Sequence, residues 1–228
     1  MTLFSDVIEK NPYAGLAYNN RGNLRIDLKD FKGAMEDFNK AIELKYFEAY
    51  NNRGILGNRL GDYKNALEDF NQADRNIRGA KDKILYNRGI AKLNLGDFKG
   101  AEEDFSGAIR INPRYTNAWS NRGLVRNDKL SDIEGAIKDF DEAIRLDSDD
   151  PYTYFNRGNA WLQSGKTDEA LADYDRTIER APQFAAAHLN KGAAFLQSGS
   201  RDAACRSWGN AAELGEKTAA ELTVKYCQ

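Results

Sequence analysis

The sequence predicts an all-α fold of about six stacked helix-turn-helix repeats, and three observations predict it. First, the tripeptide Asn-Arg-Gly opens as Asn20-Arg21-Gly22 and returns as Asn52-Arg53-Gly54, Asn87-Arg88-Gly89, Asn121-Arg122-Gly123 and Asn156-Arg157-Gly158, with Asn190-Lys191-Gly192 as a softened last copy. Its glycines are 32, 35, 34, 35 and 34 residues apart, a period that marks repeats burying a continuous core by stacking. Second, with that glycine as repeat position 8, small and aromatic residues return in step: alanine at position 20 (Ala34, Ala66, Ala101, Ala136, Ala170, Ala204), a ring at 24 (Phe38, Phe70, Phe105, Phe140, Tyr174, Trp208) and Ala41, Ala73, Ala108, Ala143, Thr177 or Ala211 at 27. Spacings of three and four put these on one helical stripe. Third, a turn signature separates position 8 from position 20.

That turn is clearest in Leu60-Gly61-Asp62-Tyr63 and Leu95-Gly96-Asp97-Phe98. The glycine suits a left-handed position after one helix, and the aspartate caps the next. Repeat four carries one extra residue in its turn. Between repeats, Pro113 and Pro182 end a helix, and Asp150-Pro151 supplies a cap followed by proline at the first helical position. Position 4 is bulky throughout (Tyr18, Tyr50, Leu85, Trp119, Tyr154, His188). The repeats run over 15–46, 47–81, 82–115, 116–150, 151–184 and 185–215. Residues 1–14 read as the second helix of a preceding half repeat or a cap, since Phe4, Val7, Ile8 and Pro12 fall at positions 24, 27, 28 and 32. Residues 216–228 read as a C-terminal capping helix, which an open repeat end needs.

Composition excludes several classes of function. Of 228 residues, 41% are hydrophobic, enough for a stacked core, and 33 basic residues against 35 acidic leave a net charge of -2. Such a chain has no field to draw in nucleic acid or an anionic membrane. No stretch approaches a membrane span, and no metal or cofactor is expected. The start has neither a basic nor an apolar leader region, so the sequence as given predicts a cytoplasmic protein, or an exported one if an N-terminal segment has been removed. Cys205 and Cys227 lie in the last two helical stretches, where they can bridge in an oxidising compartment or stay as two buried thiols.

The pattern of Tyr/Trp at 4, Gly at 8, Gly-Asp-Tyr/Phe at 15 to 17, Ala at 20, Phe/Tyr at 24, Ala at 27 and Pro near 32 resembles the tetratricopeptide repeat (TPR) over nearly the whole chain. The ending Ala204-Cys205-Arg206-Ser207-Trp208, with Lys225-Tyr226-Cys227, resembles the tail of many bacterial members of that family. The resemblance implies a right-handed superhelix that acts as a non-enzymatic protein-interaction scaffold. It also implies that positions 2, 5, 6, 9, 12 and 13 of each first helix face a concave groove.

The tripeptide divides under that reading. Glycine lets the two helices of a repeat approach closely. Arginine at 7 is expected to pair with aspartate at 23, because Asp37, Asp69, Asp104, Asp139 and Asp173 accompany the five arginines, and Ser207 accompanies Lys191. If exposed, each pair contributes only ~0–1 kcal/mol. Asparagine at 6 covaries with nothing and persists in all six copies. The family's groove positions make Asn20, Asn52, Asn87, Asn121, Asn156 and Asn190 a candidate ladder for a peptide backbone, similar to that of the O-linked N-acetylglucosamine transferase repeats. Asn23, Arg59, Lys83, Tyr86, Tyr152 and Phe155 are further groove candidates. The alternative is that the amides bridge neighbouring helices or hold water.

A chaperone-tail carboxylate clamp, another mode of the family, would need cations that Asn19, Asn23, Asn52, Lys83 and Asn87 do not supply in full. Gly165-Lys166-Thr167 lacks the earlier glycine of a phosphate loop, since Ala160 stands there. Asp147-Ser148-Asp149 runs into Pro151 and Tyr152 where a calcium loop needs a ligand and a glycine. One histidine and two terminal cysteines make neither a zinc site nor a Cys/His nucleophile pair. The expected partner is a protein or peptide segment; the alternatives are a structural module that self-associates through its open ends, or the non-catalytic repeat part of a larger enzyme or export system.

Overall fold

The computed structural model describes residues 2–227, with side chains from Phe4 onward. Among the described residues the chain forms fourteen helices: α1 (Thr2–Lys10), α2 (Gly15–Asp27), α3 (Phe31–Glu43), α4 (Glu48–Leu60), α5 (Tyr63–Asn76), α6 (Lys81–Asn94), α7 (Phe98–Ile111), α8 (Thr116–Lys129), α9 (Ile133–Leu146), α10 (Pro151–Gln163), α11 (Thr167–Arg180), α12 (Ala185–Gln197), α13 (Arg201–Glu213) and α14 (Lys217–Tyr226). The fold is all-α, built of helical repeats. The helices gather into two compact units that divide between Ala118 and Trp119.

In the first unit each helix from α1 to α6 packs on its successor, and α2, α4 and α6 also touch in turn. The first helices of these repeats therefore make an inner layer, with α3 and α5 outside it. In the second unit α9 to α14 pack in the same serial way, and α10 touches α12.

The cause is the periodic stripe. Every alanine at position 20 and every ring at position 24 is at most 1% exposed. Ala34, Phe38 and Ala41 of α3 meet Ala49 and Leu56 of α4, and Ala66, Phe70 and Ala73 of α5 meet Ile84 and Ala91 of α6. In the second unit Ala170 and Tyr174 meet Ala194. One second helix thus seals against the next first helix, which no single repeat can do alone.

The turns follow the sequence with two substitutions. Gly61, Gly96, Gly165 and Gly199 hold φ of 80, 83, 80 and 81°, while Lys29 and Ser131 occupy the corresponding left-handed sites at 62 and 57°. Asp30, Asp97 and Asp132 accept the backbone N–H of Gly33, Gly100 and Gly135 at 3.0 Å, and Asp150 caps α10 by accepting from Tyr152 and Thr153 at 3.1 Å. Cys205 of α13 is joined to Cys227, Cα atoms 5.7 Å apart, and Tyr226 packs at a tilt against Trp208. Among the described residues no helix is long and apolar enough to cross a membrane.

Candidate functional site

The tripeptide sits mid-way along the first helix of each repeat, and its three residues face three environments. Glycine faces a ring. A Cβ added at Gly22, Gly54, Gly89 or Gly123 would come within 2.7–2.8 Å of the position-24 phenylalanine, at Gly158 within 2.9 Å of Tyr174 and at Gly192 within 2.4 Å of Trp208. The close approach is therefore of helix backbone onto ring.

Arginine faces its repeat's aspartate. Arg21 donates through Nε and Nη2 to both oxygens of Asp37 at 2.8 and 2.7 Å, and Arg53–Asp69, Arg88–Asp104, Arg122–Asp139 and Arg157–Asp173 repeat that fork at 2.6–2.9 Å. The aspartates are only 1–5% exposed, so the small contribution expected of exposed pairs does not apply. In repeats two and five, where Asp69 and Asp173 pair with no second cation among the described residues, removing Arg53 or Arg157 would strand a buried carboxylate, which costs ~3–5 kcal/mol. The bond to aspartate raises the pKa of Arg21, Arg53 and Arg88; burial works against the charge of Arg157, yet Asp173 and Asp141 together raise it.

The arginines do two further jobs that sequence reading missed. Four lie over the position-4 ring, Arg21 on Tyr18 at 5.4 Å, Arg53 on Tyr50 at 5.6 Å, Arg122 on Trp119 at 4.8 Å and Arg157 on Tyr154 at 5.7 Å, while Arg88 has Leu85 there. Arg53, Arg88 and Arg157 also reach back to the preceding repeat, to Asn39 at 2.5 Å, Asn71 at 3.2 Å and Asp141 at 2.6 Å. The signal was a polar residue two positions after the aspartate.

The six asparagines are all partly exposed, and their bonding is not uniform. Asn52 donates to Asn19 at 2.8 Å and Asn190 to Asn159 at 2.8 Å, each tying two first helices together. Asn20 accepts from Asn19 at 3.4 Å and lines a cavity of about 170 Å³ with Phe4, Val7 and Leu16. Asn121 has a partner. The side chains of Asn87 and Asn156 take no protein hydrogen bond among the described residues.

Of the other candidates, Asn23 and Lys83 are exposed, and Arg59 lies 5.1 Å over Phe31. Tyr86 packs at a tilt against Phe105 at 5.8 Å and Tyr115 at 4.8 Å; burial, with Tyr86 and Asp82 nearby, pushes the Tyr115 hydroxyl up to about 12. Tyr152 is 63% exposed against Phe184, which also holds Phe155 at 4.8 Å. Tyr152, Pro182 and Phe184 line a cavity of about 340 Å³. His188 is a buried packing residue whose Nε2 meets the Pro182 carbonyl at 3.2 Å. Among the described residues no three His, Cys, Asp or Glu side chains gather as a metal site.

Four family models match the chain. Two described as tetratricopeptide repeat cover 15–45 and, in two copies, 47–76 and 82–115; one described as TPR repeat covers 129–165, and a further tetratricopeptide repeat model covers 155–220. No curated protein sequence matches. Among solved structures, the chain is similar to YrrB, a TPR protein described as having an unusual peptide-binding site (24% identity, 81% of this chain and 95% of that one, TM-score 0.68). It is similar to MamA from Desulfovibrio magneticus (20% identity, 74% and 94%, TM-score 0.69). It is also similar to a chain of the Cut9–Hcn1 hetero-tetramer of the APC/C (17% identity, 99% and 45%, TM-score 0.75).

Proposed function

The chain belongs to the tetratricopeptide repeat family, and from that premise we propose that it is a non-enzymatic scaffold that binds an extended protein segment along the first helices of its repeats. The observation that carries this reading is the state of the position-6 amides: all six are partly exposed, and Asn87 and Asn156 are uncommitted within the described chain. A side-chain amide can donate to a peptide carbonyl and accept from a peptide N–H at once. Asn52 and Asn190 have each committed a donor to a neighbouring helix, so in them bridging and ligand binding share one side chain. The peptide-binding site described for YrrB, which has the same fold, supports the class of partner.

Magnitudes shape the ligand. Each amide bond contributes ~0.5–1.5 kcal/mol net, and association costs at least ~4 kcal/mol. Amides alone hold nothing, so apolar side chains must seat on rings such as Tyr86 in the first unit and Tyr152 and Phe155 in the second.

A peptide selected from a random display library against the full chain supplies the probe. Asn52→Ala with Asn87→Ala in the first unit, or Asn121→Ala with Asn156→Ala in the second, should weaken it at least about tenfold by calorimetry, two lost bonds amounting to ~1–3 kcal/mol. Circular dichroism controls for folding. Unchanged affinity in both double variants would sink the amide reading.

A further inference from the structure

Repeat two differs from its neighbours around its buried aspartate. In repeats one, three and four a second cation, four residues after the tripeptide arginine, reaches the same carboxylate. Arg25 Nη1 lies 3.0 Å from Asp37, Lys92 Nζ 2.9 Å from Asp104 and Arg126 Nη1 3.1 Å from Asp139. Arg25 and Lys92 also donate to the backbone carbonyls of Gly33 and Gly100, at 2.8 and 3.3 Å. The capping aspartates stand alongside, Asp30 3.5 Å from Arg25 and Asp132 3.8 Å from Arg126.

Where that second cation stands, a glycine stands beside it: Gly33, Gly100 and Gly135. A Cβ there would meet first the capping aspartate, Asp30 at 2.3 Å, Asp97 at 2.2 Å or Asp132 at 2.0 Å, and on Gly33 also Arg25 Cζ at 3.0 Å. In repeat two the small and large residues are exchanged, Gly57 taking the cation's position and Asn65 the glycine's. The residues equivalent to the cation's partners, Asp62, Asn65 and Asp69, now line a cavity of about 280 Å³ together with Glu68, Arg53 and, from α3, Met35. Three carboxylates face one guanidinium there, and Arg53 already spends Nε and Nη2 on Asp69 at 2.8 and 2.6 Å. Among the described residues Asp69 pairs with no other cation.

We propose that this cavity receives the guanidinium of an arginine side chain from a partner protein. Asp69 and Asp62 accept its N–H groups as Asp37 and Asp30 face those of Arg25, and Met35 packs against its aliphatic stem. The same molecule thus holds three filled versions of the site and one open to solvent. A planar guanidinium suits it because its fork of donors can meet several carboxylates at once. None of the lining residues belongs to the asparagine row, so this site stands or falls independently of the amide reading.

N-acetyl-arginine amide titrated into the full ¹⁵N-labelled chain tests it through the amide signals of Gly57 and Asn65. Saturable shifts with millimolar half-saturation are expected, weakened about fivefold by Glu68→Gln, the order of one exposed ion pair. They should be abolished by Gly57→Arg, whose own guanidinium occupies the cavity. The isosteric, uncharged N-acetyl-citrulline amide should give no saturable shift. Shifts that do not saturate, or equal half-saturation with the citrulline probe or in Glu68→Gln, overturn the proposal. Should Gly57→Arg fail to fold, the other two arms decide it.

Discussion

In α10 and α11 Arg157 grips both oxygens of Asp173, whereas one repeat further on, in α12 and α13, Lys191 stands at the arginine position and Ser207 at the aspartate position. Lys191 turns away to Asp175 of α11 at 2.5 Å, and Ser207 bonds the Ala203 carbonyl of its own helix at 3.0 Å. Yet the two helices of both repeats meet the same way, glycine against a ring that is at most 1% exposed. The apolar contact therefore sets the packing, and the ion pair neutralises a carboxylate that packing has buried. With no carboxylate at position 207, no cation is needed. The last repeat keeps only the arginine's other habit, the reach back to the preceding repeat.

That contrast is open to test, starting with the largest effect. Arg157→Ala should lower the urea stability of the second unit by ~3–5 kcal/mol, because it strands Asp173 at 4% exposure, while Lys191→Ala should cost under ~1 kcal/mol. Adding Asp173→Ser to Arg157→Ala copies the last repeat and should restore most of the loss; a double variant as unstable as the single would show that the arginine itself, not its pairing, holds the helices.

The last repeat has a different anchor, the Cys205–Cys227 bond across a separation of 22 residues. Cys227→Ser should cost ~2–4 kcal/mol in the tryptophan-detected transition, since Trp208 lies beneath that end. No change on loss of the cysteine would place the end cap's stability in the apolar contacts of Leu222 and Tyr226 alone. The smallest effect separates the turns. Lys29→Gly should raise the urea stability by ~0.5–1 kcal/mol, glycine accepting the left-handed backbone that lysine holds at 62°, and Gly96→Ala should lower it by a similar amount.

Much of this was legible in the chain. Gly22 and Phe38, sixteen residues apart, recur together in the next two repeats, and that regularity is enough to set two helices face to face. Arg21 and Asp37 could be paired from sequence because Lys191 and Ser207 change together. The second cation at Arg25, Lys92 and Arg126 is harder to read, although its accompanying glycine stands three residues after the turn's aspartate each time; Gly57, Trp161 and Phe195 at that position break the pattern. The two ties of Asn52 and Asn190 were also hidden, since their partners, Asn19 and Asn159, sit at different places in their repeats.

The sequence by itself determined the all-α class, the two-helix unit, the turn chemistry and the partners within a repeat, because each of these rests on spacings copied about every 34 residues. Only the tertiary structure decided that the aspartates are sealed from water, that Arg53, Arg88 and Arg157 also hold the preceding repeat, and that Asp62, Asn65 and Asp69 line a cavity where three sibling repeats place a second cation. The physical reason is that burial and free volume are sums over neighbours from adjoining helices. A repeat pattern shows which residues are alike, while packing shows what the unlike ones leave uncovered.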